Sequence, residues 1–297
     1  MTRLISANPS EIIKMSAKEL KQSILESEGR VVLSENVAFR EAFVDDLTNA
    51  EIARAFGADL ILLNGVDVFS PFVSGMGSVS DTFVTELRSL VACPIGVNLE
   101  PVDASYVKEE KDCLVKGRQA TVESLQRAEE LGFDFICLTG NPGSGVSNQT
   151  IRAILREART IFSGLIIAGK MHGAGIGETL MTPDLAEEFL TAGADIILVP
   201  AVGTVPSLTE EEMRLIVNRV HQQGGLAMSA IGTSQESSDP DTIKTIALQN
   251  KMCGVDIQHI GDAGYGGLAP VENIYALSKA IRGIRHTVSR MARSIKR

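Results

Sequence analysis

The sequence predicts one α/β domain closed as a (β/α)8 barrel, with a helix before the first strand and an extended helix after the last. Two observations carry this. A short unit recurs four times: Gly57-Ala58-Asp59-Leu60-Ile61, Gly132-Phe133-Asp134-Phe135-Ile136, Gly193-Ala194-Asp195-Ile196-Ile197 and Gly254-Val255-Asp256-Ile257. Four more apolar runs alternate with these copies: Val31-Val32-Leu33, Ile95-Gly96-Val97, Leu165-Ile166-Ile167 and Leu226-Ala227-Met228. Eight continuous apolar strands separated by helical stretches imply a parallel sheet covered by helices. The intervals Gly132 to Gly193 and Gly193 to Gly254 are equal. Equal spacing favours a closed ring over an open doubly wound sheet, because a ring gives every two-strand unit an equivalent place.

The elements follow in order. Residues 9–27 read as a helix before strand one that closes one end of the barrel, with Ser16 and Glu19 forming a capping box. In each repeat copy an amphipathic helix ends, glycine supplies a left-handed turn and a short strand begins. The longer first interval is consistent with an insertion around Pro101 to Arg118. Helix starts are marked near Ser147 and Asn148, at Thr182-Pro183 and at Thr209 with Glu212. Residues 270–297 read as the eighth helix with an extension. No Ser/Gly linker divides the chain, so residues 1–297 form one domain: a cap over 1–29, the barrel over 30–282 and an extension over 283–297.

Composition narrows the function. With 297 residues, 44% of them hydrophobic, the chain can bury a large core, and its 22% charged residues are too few to suggest disorder. A net charge of -9 argues against general nucleic-acid binding. Arg282, Arg285, Arg290, Arg293, Lys296 and Arg297 make the C-terminus basic, which reads as a solvated helix face or a subunit contact. Cys93, Cys113, Cys137 and Cys253 lie far apart, with no CxxC pair, so neither a redox pair nor a zinc knuckle is indicated. The first residues are too short an apolar stretch for a signal peptide, and no run reaches the roughly 18 apolar residues of a membrane span. The cytoplasm is the default expectation, with no membrane partner.

In a barrel the chemistry gathers at the carboxyl ends of the strands. Strands one to three deliver Glu35, Asn64 with Asp67, and Asn98 with Glu100. Strand four delivers Asn141, at the start of a loop running to Ser147 that is a candidate lid. Strand five delivers Lys170 and His172, which share a face if the strand continues. Lys170 is a candidate for electrostatic stabilisation or for an imine with a carbonyl substrate, and His172 for proton transfer. Strands seven and eight deliver Gly232, Thr233 and Ser234, then Gly261, Asp262, Gly264, Gly266 and Gly267. Such glycines let backbone amides approach an anion, and the helix after Pro270 would add its free N–H groups. They are the candidate phosphate site, although the charge of Asp262 opposes a dianion there. Glu35, Asn64, Asn98 and Asn141 are candidate substrate ligands. Glu100 joins Lys170 and His172 as a candidate catalytic group. Glu35 and Asp262, with Glu100 and Asp67 nearby around the ring, are alternatively ligands for Mg²⁺. Flavin mononucleotide is an alternative occupant of the phosphate site. His259, inside strand eight, reads as a satisfied core histidine. The loop from Phe69 to Gly77 is long enough to cover the site or pack on another subunit, which allows a homo-oligomer.

These features resemble the phosphate-binding (β/α)8 (TIM) barrel superfamily, most specifically at Gly232-Thr233 and Gly261 to Gly267. The segments Ala58 to Asn64, Ser70-Pro71-Phe72 and Cys93 to Asn98 also look like BtpA-like barrel proteins. The resemblance implies a lyase or isomerase acting on a small phosphorylated metabolite. A Mg²⁺-dependent barrel enzyme and a non-catalytic phosphometabolite-binding barrel are the alternatives. A Schiff-base lysine in such barrels commonly follows strand six, whereas Lys170 follows strand five. No DxDx[TV], HExxH or Walker A pattern is present.

Overall fold

A computed structural model describes residues 2–77, 80–103, 114–141, 143–173, 177–206 and 208–297. Eight parallel strands pair in sequence order and close into a barrel: β1 (Val31–Val37), β2 (Leu60–Asn64), β3 (Ile95–Leu99), β4 (Phe135–Leu138), β5 (Leu165–Gly169), β6 (Ile196–Pro200), β7 (Leu226–Ile231) and β8 (Ile257–Ile260). The closing pair sets Leu33 opposite His259 and Ser34 opposite Ile260. The helices are α1 (Pro9–Ile12), α2 (Ala17–Leu25), α3 (Asn49–Ala55), α4 (Phe83–Val91), α5 (Val122–Leu131), α6 (Asn148–Ile161), α7 (Pro183–Ala192), α8 (Glu210–Gln222), α9 (Pro240–Met252) and α10 (Val271–Ala292). Capping boxes at Ser16, Thr48 and Thr209 hold helix starts where side-chain oxygens satisfy otherwise orphaned N–H groups.

The fourfold repeat has a physical role. Gly57, Gly132, Gly193 and Gly254 all adopt positive φ, between 79° and 126°, ending a helix and redirecting the chain into a strand. Two residues on, each aspartate staples its strand to the one before it. Asp59 accepts the N–H of Val32 (2.9 Å), Asp134 that of Ile95 (2.8 Å), Asp195 that of Ile166 (3.1 Å) and Asp256 that of Ala227 (2.8 Å). The aspartate N–H groups donate back to the carbonyls of the same four residues. Each carboxylate also meets a base: Arg282 and Arg290 at Asp59, Arg88 at Asp134, Arg159 and Lys21 at Asp195, His221 at Asp256.

Two apolar clusters follow from strand alternation. Val31, Leu33, Leu60, Leu62, Phe135, Cys137, Leu165, Ile167 and their counterparts fill the barrel, and residues between them pack outward on the helices. Gly96 has no side chain because the Phe135 ring occupies that space, 2.2 Å from where a Cβ would sit. Leu4, Ile12, Leu20 and Ile24 join the interior cluster, so the N-terminal segment plugs the amino end of the barrel. The single helix expected over 9–27 is two, α1 and α2, because the chain turns between Ile13 and Ser16 before the second cap.

The extension departs from expectation more strongly. α10 is broken at Gly283 (φ 71°, ψ 170°), and the residues beyond fold back under the barrel. Arg290 donates to Leu4 O (2.9 Å), Arg293 to Ser6 O (2.9 Å), and Ser10 N–H to Arg297 O (2.8 Å). Arg282 and Arg290 are buried on Asp59. The basic C-terminus therefore caps carbonyls and neutralises a buried carboxylate, which corrects the solvated-face reading for these arginines. Among the described residues, no helix is long and apolar enough to cross a membrane. Cys93, Cys137 and Cys253 are buried and unpaired with one another. Cys113, much of the insertion after Pro101 and Pro142 of the candidate lid lie outside the described residues.

Candidate active site at the carboxyl mouth

Alternation decides which side chains reach the mouth. Val31 and Leu33 face inward, so Glu35 does too, and the same rule sends Asn64, Asn98 and His259 toward the axis. A cavity of about 470 Å³ opens there, a size suited to a small metabolite. Of the expected residues, Glu35, Asn64, Asn141, His172 and Asp262 line it, together with Gly232, Thr233, Ser234, Gly261 and Gly264. Met171, Glu236 and Tyr265 also line it and were not anticipated.

At its floor lies a buried pair. Glu35 Oε2 is 2.9 Å from His259 Nε2, with both side chains almost wholly inaccessible. Glu35 Oε1 and His259 Nδ1 have no hydrogen-bond partner. Burial raises the Glu35 carboxyl above its usual range, the His259 hydrogen bond opposes the rise, and Asp262 and Glu236 add to it. His259 is thus not a satisfied core histidine, because one ring nitrogen is open.

A polar network braces the wall. Asn64 Nδ2 donates to Asp262 Oδ2 (2.9 Å), and the Tyr265 N–H donates to Asp262 Oδ1 (3.1 Å). Asn98 Nδ2 donates to Asn64 Oδ1 (3.3 Å). Glu100 accepts from Asn141 Nδ2 (2.6 Å), from the Asn141 N–H (2.9 Å) and from Arg118 (3.2 Å), whose guanidinium also donates to Tyr265 Oη (3.1 Å). Glu100 and Asn98 are therefore braces behind the wall. Asp67 closes its own loop by accepting the Phe69 N–H (3.0 Å). Among the described residues, no group of three or more His, Cys, Asp or Glu is arranged to hold a metal ion.

Lys170 and His172 do not share a face, because β5 ends at Gly169. Lys170 is buried and its Nζ lies 2.7 Å from Glu178 Oε2. Burial alone would raise Glu178, but the Lys170 ammonium and the Asn148 N–H outweigh it and hold that carboxyl low. His172 lines the cavity, and burial lowers its imidazole below the usual value, favouring the neutral ring.

The glycine loops also divide. Thr233 (φ 55°) and Ser234 (φ 71°) are both left-handed, and the turn after β8 has Ala263, Gly264 and Tyr265 all left-handed. Thr233 Oγ1 is engaged by Thr204 O (2.8 Å). Gly266 instead lines a separate depression with Glu41, Phe43 and Pro270, so the start of α10 faces that side. Gly267 packs against Arg40 and Asn49. Glu236, from the turn after Ser234, lays its side chain over Gly261, 3.6 Å from where a Cβ would be.

Comparison with solved structures places this architecture among known barrels. The chain is similar to an archaeal fructose-1,6-bisphosphate aldolase solved with its catalytic Lys covalently bound to the carbinolamine intermediate: 15% identity over 89% of this chain and 99% of that one, with a TM-score of 0.55. It is similar to a Schiff-base-forming fructose-1,6-bisphosphate aldolase (14% identity, 88% and 99%, TM-score 0.55) and to the YdjI aldolase of Escherichia coli K12 (13% identity, 92% and 97%, TM-score 0.51). At these identities the likeness is one of fold, and it bears out the TIM barrel; the finer likeness to BtpA-like proteins is not carried by it. No curated protein matches the chain. The family model that matches does so over residues 5–297, nearly the whole chain, and the protein therefore belongs to the family described as "Domain of unknown function (DUF7916)".

Proposed function

We propose that the chain is a lyase-type barrel enzyme that moves a proton on a small hydroxy- or oxo-compound, with Glu35 as the group that exchanges it. The observation that carries this is the Glu35–His259 pair: buried, 2.9 Å apart, with an open carboxylate oxygen on a residue that lines the cavity. A carboxyl raised by burial is matched to proton transfer nearer neutral pH. His259 acts through Glu35, fixing its orientation and sharing its proton. His172, favoured neutral, takes or returns the second proton from the cavity wall. The fold likeness to aldolases supports the lyase class.

The imine at Lys170 is less well supported than an electrostatic role, since Glu178 holds its ammonium and Lys170 is not part of the cavity lining. In this reading the Lys170–Glu178 pair positions the segment carrying His172. The test is solvent exchange. The purified chain is placed in D₂O with a panel of 2-hydroxy carbonyl compounds and 2-oxo acids, each with and without an amino group, and proton NMR follows C–H to C–D exchange. At least one compound exchanges, Glu35→Gln slows it by about 10²–10⁴-fold, and His259→Gln shifts the pH profile. No exchange across the panel, or exchange indifferent to Glu35→Gln, overturns the reading and favours a binding-only barrel.

A further inference from the structure

The place where a barrel of this kind would offer backbone amides to phosphate, between the loops after β7 and β8, is taken by a side chain of the protein itself. Glu236 leaves the turn after Ser234 and covers Gly261. Its Oε2 is buried without a hydrogen-bond partner, on a residue only 3% exposed. Two more carboxylates line the same cavity, Glu35 and Asp262, and among the described residues no lysine or arginine does. Asp262 has both oxygens engaged, by Asn64 and by the Tyr265 N–H. Glu35 Oε1 and Glu236 Oε2 are the open acceptors.

We propose that Glu236 makes this mouth selective for a cationic group, so that the substrate is a small organic amine whose ammonium sits against Glu236 and Glu35, and phosphate is excluded. An ammonium carries three donors and one positive charge, which is the complement of two unpartnered carboxylate oxygens beside a third carboxylate. A phosphate dianion brings only acceptors and like charge. A metal ion is the other cation of suitable charge, and the described residues lack a donor group for one. Burial raises Glu236 above its usual range, its own N–H and that of Ser234 oppose this, and Asp262 adds to the rise. A bound cation would return both carboxyls toward ionisation. This deepens the proton-transfer reading and rests on it for the chemistry, but the recognition is separable.

The experiment uses the full chain and two probes, ethylammonium chloride and inorganic phosphate, each against sodium chloride at equal ionic strength near pH 8. The thermal midpoint is read. Ethylammonium raises it for the wild type and phosphate does not. Glu236→Gln loses most of the ammonium shift, and Glu236→Asp, which keeps the charge, retains it and shows that the loss is not general unfolding. A wild type stabilised by phosphate, by neither probe, or by ethylammonium equally with and without Glu236 overturns the proposal. Solvent exchange that persists through Glu35 while ethylammonium fails removes the amine and leaves proton transfer standing; the reverse result removes proton transfer alone.

Discussion

At the scale of single residues, burial without full pairing distinguishes the mouth from the rest of the rim. Glu35 and Glu236 are both raised by burial, so the folded chain holds protons that the unfolded chain releases near the ordinary carboxyl value of 4.5. Their contribution to stability is greatest below that value and declines as pH rises through the folded values. Denaturant midpoints of wild type minus Glu236→Gln, measured across pH, are expected to fall with rising pH above 4.5; a flat or rising difference contradicts the burial assignment. Glu35 and Asn64 were readable from sequence because each sits in the inward register of its strand, and Asn141 and Asp262 because each closely follows a strand end. Glu236 was not, since its direction depends on Thr233 and Ser234 both being left-handed, and nothing in those residue types announces that conformation. Lys170 shows the converse: it follows the end of β5 at Gly169, and its ammonium is held by Glu178 instead of lining the cavity.

At the scale of elements, the repeat was visible as a pattern before its purpose was. The glycines gave the helix-to-strand turns, but the sequence alone assigned the aspartates no role. In three dimensions each holds the N–H of the first or second residue of the preceding strand, so removing one leaves a buried donor without a partner. Asp134→Ala is expected to cost about 1–3 kcal/mol for that donor, and Asp195→Ala a similar amount. The two lie at separate joints of the ring, so their urea-unfolding effects should add. Asp59→Ala should exceed both, at about 3–5 kcal/mol, because it strands the buried guanidinium groups of Arg282 and Arg290. An Asp59 effect no larger than that of Asp134 would show that these arginines find water or other acceptors.

At the scale of the whole molecule, the two ends of the barrel have separate duties. Closure was legible from eight alternating runs, since local apolar patterning specifies it. A seal at one end was legible as well, from the helix before strand one; its fastening was not, because Arg282 meets Asp59 across 223 residues of sequence and no local signal pairs them. That seal consists of Leu4, Ile12, Leu20 and Ile24 against the interior cluster, tied down by Arg290, Arg293 and Arg297 from beyond the break at Gly283. The carboxyl mouth is built from the opposite ends of the same strands, bonded to each other all round the ring. Ending the chain at Arg282 should therefore loosen the cap and spare the mouth. Hydrogen exchange is expected to rise across residues 4–25, while amides of β1 and β8 beside Glu35 and His259 stay protected. The midpoint of unfolding should drop because Asp59 keeps one guanidinium and loses the other. If exchange rises equally at both ends, the cap and the mouth are one cooperative unit, and residues 283–297 then act on the Glu35–His259 pair through the barrel wall.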